Sequence, residues 1–532
     1  MTASPEQAEA ARVAVERLQP RGLRRSAVFS WGRWAVSVLV MAIVFPVMLD
    51  RLGAATFGLW AALTAPTGMA GLLGFGVGPA IVSQVGRAIG RARAVAEGEQ
   101  AAQHLHTAGS SALAGVGLSL VSAAVSLLIG WLAGGAVVDL LRVPHDQVAA
   151  ATFLFRASCG CLAGMLIGAG LSALLDAVGR VDLSAIAGGV VTVSNSLFLC
   201  VAVLVAPGFR SLGWVSVATA VTNILLPAAF FGSAGVMVLA PWARVTRSSA
   251  AQVGRLALGL GGAAALGAIV DPAVKWSIAA VAGGVPVASY ELATRIVLLL
   301  SGTFTALLTP MMPFLARVLT EHGPRQVVEG VARAVRRVNT VALPTIAAAA
   351  AVSGPLLALW LGEDVPLHAG FSVKVLCAGA VASLTVRSAW GALAAAGQGR
   401  RLVLVQAANL AGVGAVLGLA VGRVLAAGLA PGIAVAFGGL LGAALTLRQY
   451  AAFYGRDAAG QLLRASLVGL IAAVCAAPWA PLAALAGAGD LLQLGVSFVA
   501  WAAVIACLAR KGLVTLPLPG GMRGRIFGRA GR

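Results

Sequence analysis

The feature that most constrains this chain is a succession of apolar stretches, each about 20 residues or longer, separated by short breaks carrying Arg, Gly or Pro. A helix rises about 1.5 Å per residue, so roughly 20 residues cross about 30 Å of hydrocarbon. Backbone amides in lipid must find their hydrogen bonds within the segment, and for stretches of this length only a helix provides them. Of the 532 residues 59% are hydrophobic and 11% charged, far below the roughly 25% charged content of soluble domains. A soluble fold is excluded, and the chain is expected to be an all-α polytopic membrane protein.

Spans are expected near 27–49, 57–84, 108–133, 148–175, 183–207, 211–240, 256–282, 286–314, 338–361, 370–396, 402–427, 429–447, 465–485 and 489–509, about fourteen helices. The connections alternate in charge. Odd-numbered ones carry little positive charge, with Arg51, Arg142 and Arg210 beside Asp50, Asp139 and Asp146, and later Glu363, Asp364 and Asp490. Even-numbered ones carry Arg87, Arg91 and Arg93, then Arg180, Arg244 and Arg247, then Arg325, Arg333, Arg336 and Arg337, then Arg400 and Arg401, then Arg448, Arg456 and Arg464. By the positive-inside rule this predicts both termini in the cytoplasm and a place in the cytoplasmic membrane.

A net charge of +20 would raise the question of nucleic acid in a soluble protein. Here roughly 28 of the 38 Lys and Arg residues fall on one expected side, so topology accounts for the charge and no nucleic-acid partner is expected. Residues 1–26 are polar and amphipathic, with no short apolar core and cleavage site, and are expected to form a cytoplasmic surface segment. Residues 511–532 are expected to be a basic cytoplasmic tail. The six cysteines fall in apolar stretches, and Cys159 and Cys161 lack neighbouring His or carboxylate ligands. Neither disulfides nor a metal centre is expected. There is no P-loop and no G-x-S-x-G elbow, so neither a cofactor nor an enzymatic reaction is expected.

The chain repeats itself. F-G-L-W-A-A-L-T from Phe57 has a counterpart in A-S-Y-E-L-A-T-R from Ala288, and S-A-L-L-D-A-V-G-R from Ser172 resembles G-A-L-A-A-A-G-Q-G-R-R from Gly391. Two six-helix lobes of equal topology, 27–240 and 241–447, followed by two extra helices within 448–510, are expected, a recurrent transporter plan. Pro46, Pro66, Pro79, Pro227, Pro272, Pro310 and Pro344 lie inside spans, either in ordinary packing or as hinges.

A charge in hydrocarbon costs roughly 3 kcal/mol or more, so those that remain face a cavity or pair with each other. Five cations fall within spans, namely Arg33, Arg156, Lys275, Arg295 and Arg387, and the main acids are Asp271 and Glu291. Asp271 and Lys275 share a helix face at i, i+4, as do Glu291 and Arg295. Two readings stand together: neutralising pairs inside a bundle, or a basic cavity of Arg33, Lys275 and Arg295 for an anionic headgroup, with Asp271 or Glu291 restraining the cations or binding a coupling cation. Arg156 and Arg387 have no carboxylate close in sequence and are either further contributors or snorkelling cations.

The stretches L-D-R-L-G-A-A-T-F-G-L-W-A-A-L-T (49–64), G-L-L-G-F-G-V-G-P-A-I-V (71–82) and D-P-A-V-K-W-S-I-A-A-V-A-G-G-V-P-V-A-S-Y-E-L-A-T-R (271–295) resemble motifs of the polysaccharide transporter, or oligosaccharide flippase, family. That family belongs to the MOP superfamily, together with MATE exporters and peptidoglycan-precursor flippases. The similarity covers about residues 24–400. It implies alternating access with a cavity lined by the first, second, seventh and eighth helices, and a polyprenyl-diphosphate-linked oligosaccharide as substrate. The alternative is a MATE-like exporter of small amphipathic compounds coupled to H+ or Na+. A cationic substrate would suit an acidic cavity, whereas the charge within these spans is net positive.

Overall fold

The computed structural model describes residues 23–69, 76–94, 99–242, 246–308, 323–362, 365–422, 425–487 and 489–510, together with 244, 315 and 319. The expected surface segment (1–26) lies largely, and the basic tail (511–532) and Pro310 wholly, outside the described residues. Helices follow one another without a strand among the described residues: α1 Leu23–Leu63, α2 Val77–Ala94, α3 Glu99–Leu140, α4 Val148–Ala177, α5 Val181–Val205, α6 Phe209–Ala229, α7 Arg247–Ala282, α8 Gly284–Leu308, α9 Pro324–Ala351, α10 Ser353–Leu361, α11 Ala369–Ala395, α12 Gly399–Val421, α13 Ala430–Tyr454, α14 Arg456–Ala476, α15 Trp479–Leu485 and α16 Asp490–Arg510.

Twelve of the described spans are long and apolar enough to cross a membrane, or up to 13 if α9 and α10, bent by 65° at their junction, form one broken span. The side chains they leave outward confirm the solvent. Trp131, Leu132, Val474 and Leu485 are among many large apolar residues more than two-thirds exposed, an outward apolar face that water would not tolerate at this extent. This is a multi-pass membrane protein.

The helix ends differ from the hydropathy reading in informative ways. The expected span 27–49 and the start of 57–84 are two helical segments of α1, separated at Gly53 (φ 72°), and the second segment ends at Leu63. A 3-10 turn follows at Ala65–Met69, and the next helix among the described residues begins at Val77. Pro66 cannot donate an amide hydrogen bond, and Gly76 sits at φ 68°, a conformation only glycine adopts without strain. α3 and α9 begin well before their apolar stretches, because hydropathy marks where lipid starts rather than where a helix does.

The chain forms two compact units. The first comprises Met1–Gly53 and Ala62–Pro272. In it α4 is central, because its small residues let other backbones come close. A Cβ on Gly164 would stand 2.6 Å from the Ala220 Cα of α6, one on Gly168 would overlap the Asn223 carbonyl oxygen, and Gly130 of α3 rests on Cys159. Ser126 closes the α3–α4 contact by donating to the Cys159 carbonyl at 2.9 Å. Ile81, Val85, Leu105, Leu175 and Val178 form the apolar core beside it.

The second unit comprises Ala54–Ala61 and Ala273–Arg532. Its border with the first falls at Pro272, inside α7, while the sequence reading drew the lobe boundary after residue 240. Gly379 of α11 packs on Ala436 of α13, and Gly58 and Gly284 bring Ala54–Ala61 against the start of α8 backbone to backbone. α14 is seated on α9. Gly469 meets the Asn339 backbone, and the Asn339 side-chain amide donates to Ser466 Oγ at 3.1 Å in a fully buried setting.

The internal repeat is visible in the backbone. After α4, the amides of Val178, Gly179, Arg180, Leu183 and Ser184 donate to the carbonyls of Leu174, Asp176, Leu175 and, for the last two, Arg180. After α11, those of Ala396, Gly397, Gln398, Arg401 and Leu402 donate to Ala392, Ala394, Leu393 and, twice, Gln398. The two turns match bond for bond, each with a left-handed glycine, Gly179 or Gly397, closing a Schellman-type helix end.

Candidate functional site

α7 and α8 form a helical hairpin closed by Gly283, whose φ of 74° reverses the chain. In an antiparallel hairpin, residues equally distant from the turn come level with each other. Lys275 lies eight residues before Gly283 and Glu291 eight after it, and they meet: Lys275 Nζ is 2.7 Å from Glu291 Oε2. Arg295, one helical turn beyond Glu291, reaches back to the other carboxylate oxygen with Nη2 at 2.6 Å and Nε at 2.7 Å. One carboxylate thus holds two cations, and the group carries a formal charge of +1.

Burial is uneven across this triad. The side chains of Glu291 and Lys275 are 2% and 6% exposed, that of Arg295 33%. Around it, Ser289 is fully buried and donates to the Leu367 carbonyl at 2.6 Å, tying α8 to the segment before α11. Tyr290 and Leu292 are buried beside it.

Of the residues singled out in the sequence, Lys275, Glu291 and Arg295 are brought together. The i, i+4 pair of Glu291 and Arg295 forms, and the bond from Lys275 to Glu291 across the hairpin was missed. Its signal was the equal spacing about the Gly283–Gly284 doublet. Asp271 belongs to the first unit, where its Oδ2 lies 3.6 Å from the place a Cβ on Gly68 would occupy, beside the 3-10 turn. Arg33 falls on α1, and its side chain is outside the described residues. Arg156 is exposed and runs along Gly134 of α3. Arg387 is exposed and sits 5.4 Å over the Trp390 ring, a cation–π contact. Neither belongs to the triad. Cys159 and Cys161 are buried free thiols, and no metal-holding group of His, Cys, Asp or Glu occurs among the described residues.

The repeat shows that the fold does not require these charges. Gly53 and Gly283, 230 positions apart, are the left-handed glycines between the first and second helices of each half. At that offset Lys275, Glu291 and Arg295 correspond to Phe45, Ala61 and Ala65, all apolar and buried. A scaffold that closes with Phe and Ala at these positions has no structural need of a Lys, Glu and Arg. Burying ionised groups is costly even when they pair.

No family model matches the chain, and no curated protein matches it in sequence. Solved structures do match in fold. A lipid II flippase, MurJ, in an inward closed conformation superposes with a TM-score of 0.62 at 12% identity, over 92% of this chain and 99% of that one. A MOP superfamily transporter from Pyrococcus furiosus, described by a binding pocket of reverse polarity that suggests a different function, gives 0.59 at 15% identity, over 85% and 98%. A multidrug resistance MATE family transporter of the MOP superfamily in an outward-facing conformation gives 0.57 at 15%, over 84% and 98%. The chain therefore shares the fold of these structures.

Proposed function

We propose that this protein is a flippase that moves a polyprenyl-(di)phosphate-linked oligosaccharide across the cytoplasmic membrane by alternating access, serving cell-surface polysaccharide synthesis. The observation that carries the reading is the buried triad of Lys275, Glu291 and Arg295: net positive, confined to one half of the repeat, and set in a transporter fold. Glu291 holds the Arg295 guanidinium in a fixed orientation, and planar guanidinium groups recognise phosphate oxygens in pairs. Arg295, the least buried of the three, is the contact to the diphosphate. Lys275, spent on Glu291, keeps the local charge positive once Glu291 has been neutralised by Arg295. Glu291 restrains the two cations, and Asp271 serves a coupling H+ or Na+. Both termini lie in the cytoplasm in this scheme.

The fold is shared with flippases and drug exporters alike, and the sign of the site supports the first reading. A MATE-like exporter of cations needs a carboxylate free to meet a cation, whereas Glu291 already holds two. The test is translocation of a fluorescent polyprenyl diphosphate in proteoliposomes. Arg295→Ala and Lys275→Ala each leave Glu291 with one cation, and both are expected to stay folded and lose flipping. Flipping at the wild-type rate in folded Arg295→Ala would remove the basic site from the mechanism.

A further inference from the structure

The matched turns after α4 and α11 share a backbone but differ in charge. In the first unit the turn neutralises itself. Arg180 Nε meets Asp182 Oδ1 at 3.1 Å with both side chains nearly buried, Arg180 also donates to the Ser233 carbonyl, and Asp176 accepts from Ser184. In the second unit, 218 positions on by the pairing of Gly179 with Gly397, Gln398 stands for Arg180, Arg400 for Asp182 and Arg401 for Leu183. The same geometry has lost its acids and carries two arginines in place of one.

Arg401 is nonetheless held in place. Its Nε donates to Gln398 Oε1 at 3.2 Å, its Nη1 to Gln449 Oε1 at 3.1 Å and to the Gln449 carbonyl at 3.4 Å, and its Cζ lies 5.7 Å over the Phe453 ring. Every one of these partners is neutral, so the guanidinium is oriented without its charge being spent. Arg400 and Arg448 are exposed at the same end of the helices, and neither they nor Arg401 has an ion pair among the described residues. Phe453, itself 37% exposed, and Tyr454, which donates to the Ala392 carbonyl at 3.4 Å, supply an aromatic edge of the kind that settles at the headgroup level of a bilayer.

We infer that the end of α11–α12–α13 is a binding site for the headgroup of an anionic phospholipid, with Arg401 as the oriented phosphate contact and Arg400 and Arg448 as flanking charges. A general positive-inside bias needs cations near the membrane but not one fixed by two glutamines and an aromatic ring. The first unit shows that this turn folds with its arginine neutralised from within. An anionic lipid takes the role that Asp182 plays there. The site is separate from the triad on α7 and α8 and does not depend on the transport reading.

The test is retention of phosphatidylglycerol by the purified full chain after extraction from phosphatidylcholine vesicles doped with that lipid, read by native mass spectrometry. Wild type is expected to keep phosphatidylglycerol in preference to phosphatidylcholine. Arg448→Gln should lower that retention roughly fivefold, one surface charge near an anionic headgroup being worth about that factor. Arg401→Gln, which removes the oriented contact, should lower it further. Arg400→Asp, which puts an acid where the first unit has Asp182 and replaces a flanking charge by its opposite, should abolish the preference in a folded protein. Arg464→Gln, an exposed arginine on α14, should change nothing. Retention undiminished in Arg400→Asp, an equal loss in Arg464→Gln, or displacement of the lipid by inorganic phosphate would each overturn the inference.

Discussion

Replacing Glu291 by Gln keeps the size of the side chain and removes its charge, leaving two cations where one carboxylate held both. Lys275 is 6% and Arg295 33% exposed, so neither is well served by water. Removing one partner of a buried ion pair costs about 3–5 kcal/mol, because the remaining charge is stranded. Arg295 recovers part of this by turning toward solvent, so the lower end, about 3 kcal/mol, is the expected loss for Glu291→Gln. In a unit of this size that is on the order of 10 °C in the unfolding midpoint, measurable by thermal unfolding in detergent. Adding Lys275→Met to Glu291→Gln removes the stranded ammonium and should restore most of the loss, a strong coupling in a double-mutant cycle. A shift of under about 2 °C for Glu291→Gln, or no recovery in the double variant, would mean that the three groups are not a desolvated unit.

Other consequences concern packing. Gly58→Ala puts a methyl group into the Gly284 carbonyl, backbone against backbone, and should cost about 1–3 kcal/mol. Gly117→Ala, on α3 with open space around it, should be neutral or stabilising by up to about 1 kcal/mol, and unfolding midpoints of the two variants compare them directly. Ser466→Ala takes away the acceptor for the buried Asn339 amide and should destabilise by about 1–3 kcal/mol. Because Asn339 and Ser466 lie at the α9–α14 seam, protease accessibility of α14 in detergent should rise with it.

Much of the architecture could be read from the chain because lipid imposes a simple rule on it. Long apolar runs become helices. Breaks inside helices were harder to read. Pro46, Pro227 and Pro344 are carried within continuous helices, whereas Pro66 coincides with the end of one, and local sequence does not distinguish the cases because neighbouring helices decide which backbone groups are satisfied. At the site, pattern reasoning along one helix found Glu291 with Arg295 and grouped Lys275 with Arg295 in a cavity, but did not pair Lys275 with Glu291. Partners across a hairpin depend on where the turn falls, and Gly283, once recognised as the reversal, places Lys275 opposite Glu291. The uncompensated Arg401 was invisible as such, since its setting depends on Gln449 and Phe453, some 50 residues away.

The central claim is that the charged hairpin serves an anion. The most direct measurement loads one preparation of proteoliposomes with a fluorescent polyprenyl diphosphate and, in parallel, with a cationic amphipathic dye, and follows both in wild type and Arg295→Ala. Transport of the diphosphate that is lost in Arg295→Ala, with no movement of the dye, is the predicted result. Gradient-driven movement of the dye at equal rates in both proteins, with the diphosphate lipid left in place, would contradict it.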